Sequence, residues 1–330
     1  MNISLLKIKK VVLFRTTFFL VMGALLLACH TEHKQPPYAY ITNQLDNNLS
    51  VIDTSTQQVI HTIPIGNRPV GIALSKHGNR AFISNSEGQD ITVLNTKTMT
   101  VITHIPAPPG PVGIASNSNG SRVYVADWYQ HKISVFDPEQ KKLISTIPVG
   151  HSPAGMIIDE NTKRLYVANR DDNTVMFIDL DSQKILATIA VGKAPFGLAL
   201  SPNGSTLYSV NVRSGDVSVI DTVKATLIHT INVGEWPYCA VVSPDGKHLF
   251  VTNQDDSTIS IIDTVNPSIT STIDVGDSPD GIAITPDGQF VYVINWGDGT
   301  VSVVDTNTYT IVKTIKTGKG NRSFGQFISQ

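Results

Sequence analysis

At 330 residues the chain has room for two average domains or for one large all-β ring, so length alone does not decide its organisation. Its 25 basic and 27 acidic side chains leave a formal net charge of −2, which becomes −6 once residues 1–28 are removed, and so acidic a mature chain disfavours a generic phosphate or nucleic-acid binder. Only two cysteines occur, Cys29 and Cys239. With Cys29 committed elsewhere, Cys239 cannot close an intramolecular disulfide and reads as a buried structural thiol.

In chain order, the first element is a targeting segment. Lys7, Lys9, Lys10 and Arg15 precede an apolar stretch from Phe18 to Ala28, and no acidic residue occurs before Glu32. Arg15, Thr16 and Thr17 interrupt the apolar run that starts at Val11, and what remains falls well short of the ~20 residues that span a bilayer. The pattern is that of a secretory signal. It ends in Leu26-Leu27-Ala28-Cys29, which resembles the bacterial lipobox. The resemblance implies cleavage before Cys29 and acylation of its thiol, and several acyl chains hold a protein stably on a membrane. His30 stands where an Asp favours inner-membrane retention, so the outer membrane is the expected address. Removing residues 1–28 takes away four positive charges and no negative ones, moving the net charge from −2 to −6. Residues 29–37 form the tether.

From residue 38 one period governs the chain. Asp53, Asn95, Asp137, Asp179, Asp221, Asp263 and Asp305 recur every 42 residues without an insertion, as do Tyr40, Phe82, Tyr124, Tyr166, Tyr208, Phe250 and Tyr292. A third series runs from Asn43 through Asp127 to Asn295, and prolines recur from Pro69 to Pro279. Within a repeat, short runs rich in β-branched residues alternate at period two, as in Leu249–Asn253, Thr258–Asp263, Ile269–Val275 and Gly281–Thr285. These predict four strands per repeat. Ser243-Pro244-Asp245-Gly246 and Thr285-Pro286-Asp287-Gly288 are tight turns between the first and second strands. Seven four-stranded antiparallel units of this length predict an all-β fold, a seven-bladed β-propeller covering 38–330.

The first repeat begins at Tyr38, already at a second strand, whereas the chain ends in Phe324-Gly325-Gln326-Phe327-Ile328. The ring is expected to close by pairing the N-terminal strands with this C-terminal strand, residues 323–329 completing a seventh blade with 38–64. Two extra residues before Phe324 are the one expected slip in register.

Leu165-Tyr166-Val167-Ala168-Asn169, Leu249-Phe250-Val251-Thr252-Asn253 and Val291-Tyr292-Val293-Ile294-Asn295 resemble the YVTN family of bacterial propeller proteins over residues 38–330. The resemblance implies the fold; similar propellers include surface proteins, periplasmic binders and relatives of haem d1, quinoprotein and lactonase enzymes. It also implies a ligand end, formed by the links between second and third strands and the links into the next blade.

All three tryptophans fall in those links: Trp128, Trp236 and Trp296, with Trp236 and Trp296 expected as neighbours and Trp128 across the opening. Tyr129, Tyr238, Phe196, Arg68, Arg170 and Arg213 occupy equivalent places. Aromatic faces with basic side chains suit a glycan, an aromatic ligand or a peptide; the structural alternative is that each ring covers the end of its own blade. His131 and His151 lie in adjacent links and are the candidates for a metal or haem. Asp171-Asp172, Asp255-Asp256 and Asp298 read as solvated turn carboxylates rather than a calcium site. No hydrolase elbow, phosphate loop or dinucleotide fingerprint is present. The expectation is a monomeric, non-enzymatic envelope lipoprotein that binds an envelope protein, peptide or glycan. It needs no cofactor, though metal and haem stay open, and nucleic acid is disfavoured. The alternative is a propeller enzyme, a lactonase-like hydrolase or a haem- or quinone-linked oxidoreductase; the second alternative is a periplasmic nucleic-acid binder.

Overall fold

A computed structural model describes residues 36–330. The signal segment, Cys29 and most of the tether lie outside the described residues. Seven four-stranded antiparallel sheets follow one another along the chain. The first strands of blades one to six are Pro69–Leu74, Pro111–Ser116, Pro153–Asp159, Pro195–Leu200, Pro237–Val242 and Pro279–Ile284. Each is followed by three strands in sheet order. Among the described residues no helix is long and apolar enough to cross a membrane.

The repeated residues explain why the blades form and stack. Tyr40, Phe82, Tyr124, Tyr166, Tyr208, Phe250 and Tyr292 are all buried, so each blade packs a large ring against its neighbour instead of leaving two wet faces. The Asp53 series ties turns: Asp53 Oδ1 accepts the N–H groups of Ser55 and Thr56, and Asp305 does the same for Asn307 and Thr308. The Asn43 series works across the link. Asn253 Oδ1 accepts the Gly234 N–H at 3.2 Å while its Nδ2 donates to Thr258 and Ser260. Blade two shows the dependence. Pro108 stands at the glycine's place and has no N–H to give, and there the Asn is replaced by Asp127, which accepts from Tyr129 and Gln130 within its own turn.

Blade seven is built from both ends of the chain, in the order Asn321–Arg322, Tyr38–Asn43, Asn48–Asp53, Gln58–Pro64. Asn321 pairs with Asn43 and Arg322 with Thr42, and an isolated bridge joins Ala39 to Ile328. The first strand is therefore shorter than expected over 323–329, and the slip lies elsewhere. Asn321 to Ser323 keep the period, and the two extra residues fall after Ser323. There the chain leaves the sheet, carries Phe324 into the central channel, and returns with Phe327 and Ile328 in the core. A clash-free route exists because Gly325 takes a φ of 118°. Phe324 forms a parallel bridge to Gly71; the Ile72 N–H donates to the Phe324 carbonyl at 2.9 Å. The tail then ends beside the start of the propeller: the Ser329 N–H donates to the Tyr38 carbonyl at 2.9 Å, and the Tyr38 N–H to Ser329 Oγ at 2.8 Å.

Candidate functional site: the channel and the loop end

First strands line the channel, and their residues recur as rings. Next to the recurrent prolines stand Val70, Val112, Ala154, Phe196, Tyr238, Asp280 and Arg322. Three are small and apolar; the other four form a continuous cluster. Phe196 packs on Tyr238 with centroids 4.2 Å apart and on Phe324 at 4.7 Å. Arg322 lies 5.5 Å over the Tyr238 ring, donates to its hydroxyl, and places Nε 2.9 Å from Asp280 Oδ2. Asp280 is 1% exposed and neither of its carboxylate oxygens accepts a hydrogen bond of good geometry, so the contact with Arg322 Nε is an ion pair. Burial pushes its carboxyl above the usual range, with Arg322 opposing that shift. Sequence reasoning missed Asp280 and Arg322. The signal was available, because a carboxylate and a guanidinium occupy adjacent members of an otherwise apolar or aromatic series.

One residue further in, the ring is Gly71, Gly113, Gly155, Gly197, Cys239, Gly281 and Ser323. A Cβ on Gly71, Gly113, Gly155 or Gly197 would lie 1.9–2.5 Å from the carbonyl oxygen of the next blade. These glycines let the first strands approach at the axis. Cys239 is buried, as expected, and burial raises its thiol well above the ordinary value, which makes it a poor nucleophile.

Beyond this level a cavity of ≈ 730 Å3 runs to the end of the ring that carries the tight turns. Its side chains are largely aliphatic, including Ile114, Met156, Leu198, Val242 and Ile282, and Phe324 is its one aromatic. Lys76, Pro202, Pro244 and Pro286 mark the outer rim.

At the opposite, loop end, the predicted residues divide. Trp128 leans inward, 6.4 Å from Phe196, with Arg170 5.8 Å over its ring. Arg170 also bonds Asp171 at 2.8 Å, and Arg68 pairs with Glu87 at 3.2 Å. Arg213 is exposed. Tyr129, Trp236 and Trp296 are 69%, 45% and 39% exposed, the two tryptophans in the links of adjacent blades five and six. Tyr238 and Phe196 belong to the channel cluster.

His131 and His151 do meet, edge to face at 4.5 Å. His151 Nδ1 lies 2.7 Å from Asp172 Oδ1, and His131 Nδ1 accepts the Ser152 N–H at 3.2 Å, which leaves each Nε2 as the second nitrogen. Among the described residues no group of three His, Cys, Asp or Glu side chains could hold a metal. Asp172, Asp256 and Asp298 each accept a backbone N–H of the preceding link, so these carboxylates tie two links together rather than standing solvated in their own turns.

This geometry defines the class: a closed seven-bladed propeller with an aromatic and ionic floor under its loop end. A family model described as YNCE-like beta-propeller matches residues 73–164, and one described as Cytochrome D1 heme domain matches residues 207–323; neither spans half of the chain. The chain is a seven-bladed β-propeller repeat protein, similar over residues 73–164 to the YNCE-like propellers.

Among solved structures it is similar to the hydrazine synthase of Kuenenia stuttgartiensis, with a TM-score of 0.71 at 23% identity over 77% of this chain and 88% of that one. A functionally unknown protein from Desulfotomaculum acetoxidans gives 0.76 at 16% identity, over 86% and 98%. Dihydro-heme d1 dehydrogenase NirN in complex with DHE gives 0.67 at 15%, over 86% and 73%. At these identities the likeness shows the fold. No curated protein matches the chain.

Proposed function

We propose that the protein is a non-catalytic binding propeller of the cell envelope, tethered through an acylated Cys29, whose loop end takes a protein, peptide or glycan. Trp236 carries this reading. At its place in the repeat the backbone is left-handed in every blade, and the other residues there are Arg68, Gly110, Ser152, Ala194, Ser278 and Gly320. A bulky aromatic in that conformation is an outlier that costs free energy, and its ring is 45% exposed, so it returns little through burial. An exposed Trp held against its backbone preference, with the exposed Trp296 in a link of the next blade, is suited to an apolar or sugar surface.

The test is Trp236→Gly combined with Trp296→Ala in the full chain, probed on a glycan array and on purified envelope fractions. Thermal stability is expected to change by less than about 1 kcal/mol, since Gly relieves the left-handed strain. Binding is expected to fall at least about tenfold, as loss of exposed aromatic anchors does. Full retention of binding by the folded variant would end the loop-end reading.

A second reading, a haem-linked propeller, is favoured by the family-model match over 207–323 and by the paired imidazoles. The channel cavity has no imidazole in its lining, so an iron porphyrin would depend on Nε2 of His131 or His151 at the rim, with Arg213 free to meet a carboxylate. When bound, it would supply redox chemistry. His151 is oriented by Asp172, as metal-bound histidines commonly are. Titrating the full chain with haemin decides: a Soret band lost on His131→Ala or His151→Ala replaces the binding reading, and its absence in the wild type leaves that reading in place.

A further inference from the structure

The cavity at the turn end belongs to neither reading, since it lies at the far side of the Phe196, Tyr238 and Phe324 floor. We infer that it is a receptor for a short, extended, apolar peptide that enters from the turn end and pairs by main-chain hydrogen bonds with the free inner edges of the first strands.

Three observations carry this. First, each first strand is the terminal strand of its sheet, so one edge of backbone N–H and C=O groups faces the axis, and such edges are templates for another chain. Second, the protein already uses one of them. The tail crosses the inner edge of Pro69–Leu74, where Phe324 accepts from the Ile72 N–H at 2.9 Å and donates to the Val70 carbonyl at 3.4 Å. The inner edges of Pro195–Leu200 and Pro237–Val242 line the same cavity. Third, the side chains between those edges are mostly aliphatic, with Ser116, Thr285, Gln326 and Gln330 the polar exceptions, and Lys76 is the one charged side chain of the lining. It stands exposed at the rim and forms no ion pair among the described residues.

From the level of Ile72, past the strand end at Leu74, to Lys76 the chain advances at most about 14 Å, four steps of ~3.4 Å. That depth suits about five residues of extended chain with small and β-branched side chains. Main-chain pairing supplies the affinity and the aliphatic walls select the side chains. Lys76 at the rim receives the peptide's terminal carboxylate, which fixes entry with the amino end first.

The probe is a pentapeptide of alternating valine and alanine, N-acetylated and with a free carboxylate, titrated calorimetrically into the full chain. One-to-one saturable binding is expected. N-methylation of alternate peptide nitrogens, which removes donors without removing apolar surface, should weaken it about tenfold or more. Amidation of the carboxylate and Lys76→Glu should each weaken it by about threefold to tenfold, with no further loss when combined. Ala240→Trp, which fills the cavity, should abolish binding, and the exposed Lys76→Glu variant keeps the test valid if Ala240→Trp does not fold. No saturable binding, equal binding of the N-methylated peptide, or occupation by palmitate in place of the peptide would overturn the inference. Because Trp236→Gly and Trp296→Ala lie at the other end of the ring, they should leave this titration unchanged.

Discussion

Replacing Arg322 with Met is expected to cost about 3–5 kcal/mol of stability, the usual cost of leaving a buried partner charge uncompensated. In thermal unfolding this is a fall of roughly 6–12 °C for a domain of this size. Asp280 would keep its burial and lose the guanidinium 2.9 Å away, and Tyr238 would lose its stacked cation. The loss should depend on pH, with a definite sign. Burial already raises the Asp280 carboxyl in the folded state, and Arg322 is the group holding it down. An acid whose folded pKa lies above its unfolded value, near 3.9, favours the fold below that value and loses the contribution as pH rises through the folded pKa. Removing Arg322 moves the folded pKa further up, so the penalty should be small near pH 4 and grow toward pH 8. A pH-independent penalty would show that packing on Tyr238, not charge, is what Arg322 supplies. The double change Asp280→Ala with Arg322→Met should recover part of the loss.

Gly113→Ala is expected to be as damaging, by about 4 kcal/mol or more, through overpacking at a site that cannot yield. Its added Cβ would stand 1.9 Å from the Ala154 carbonyl oxygen, an atom of the neighbouring blade's backbone. Gly113 does not have a positive φ, so conformational preference is not the obstacle. Contact with the adjacent first strand is. Cys239→Gly at the same ring position provides the contrast, with an expected loss of about 1–2 kcal/mol from lost burial and added chain entropy. Equilibrium denaturant unfolding measures both. Near-equal losses would mean that the glycine ring is not what sets the spacing of the blades.

The architecture was legible because strand alternation and a 42-residue spacing repeat the same instruction seven times, and the buried Tyr40 to Tyr292 series is what that spacing encodes. Ring closure was legible from the two incomplete ends. Its path was not, because the displaced residues, Phe324 to Gln326, are governed by the channel rather than by the sheet. At the loop end, sequence grouped the three tryptophans, but burial separates them: Trp128 finds Phe196 within reach, whereas Trp236 and Trp296 stay exposed. That distinction depends on how links lean over the axis, which periodicity does not carry. Asp280 and Arg322 escaped notice for the opposite reason. They stand beside the most regular residues of the repeat, at positions whose shared ring appears only when blades are superposed.

The paired hydrogen bonds between Tyr38 and Ser329 have a topological meaning. The propeller is a circle of seven equivalent units that has been nicked once, inside a blade rather than between two. With its two cut ends already in contact, a short linker could seal them, and fresh termini could be opened in any link between blades without altering a single strand pairing. The clasp across that nick is only two ladder pairs and one isolated bridge, so blade seven is expected to unzip, one strand from its partner, before any interface between intact blades parts.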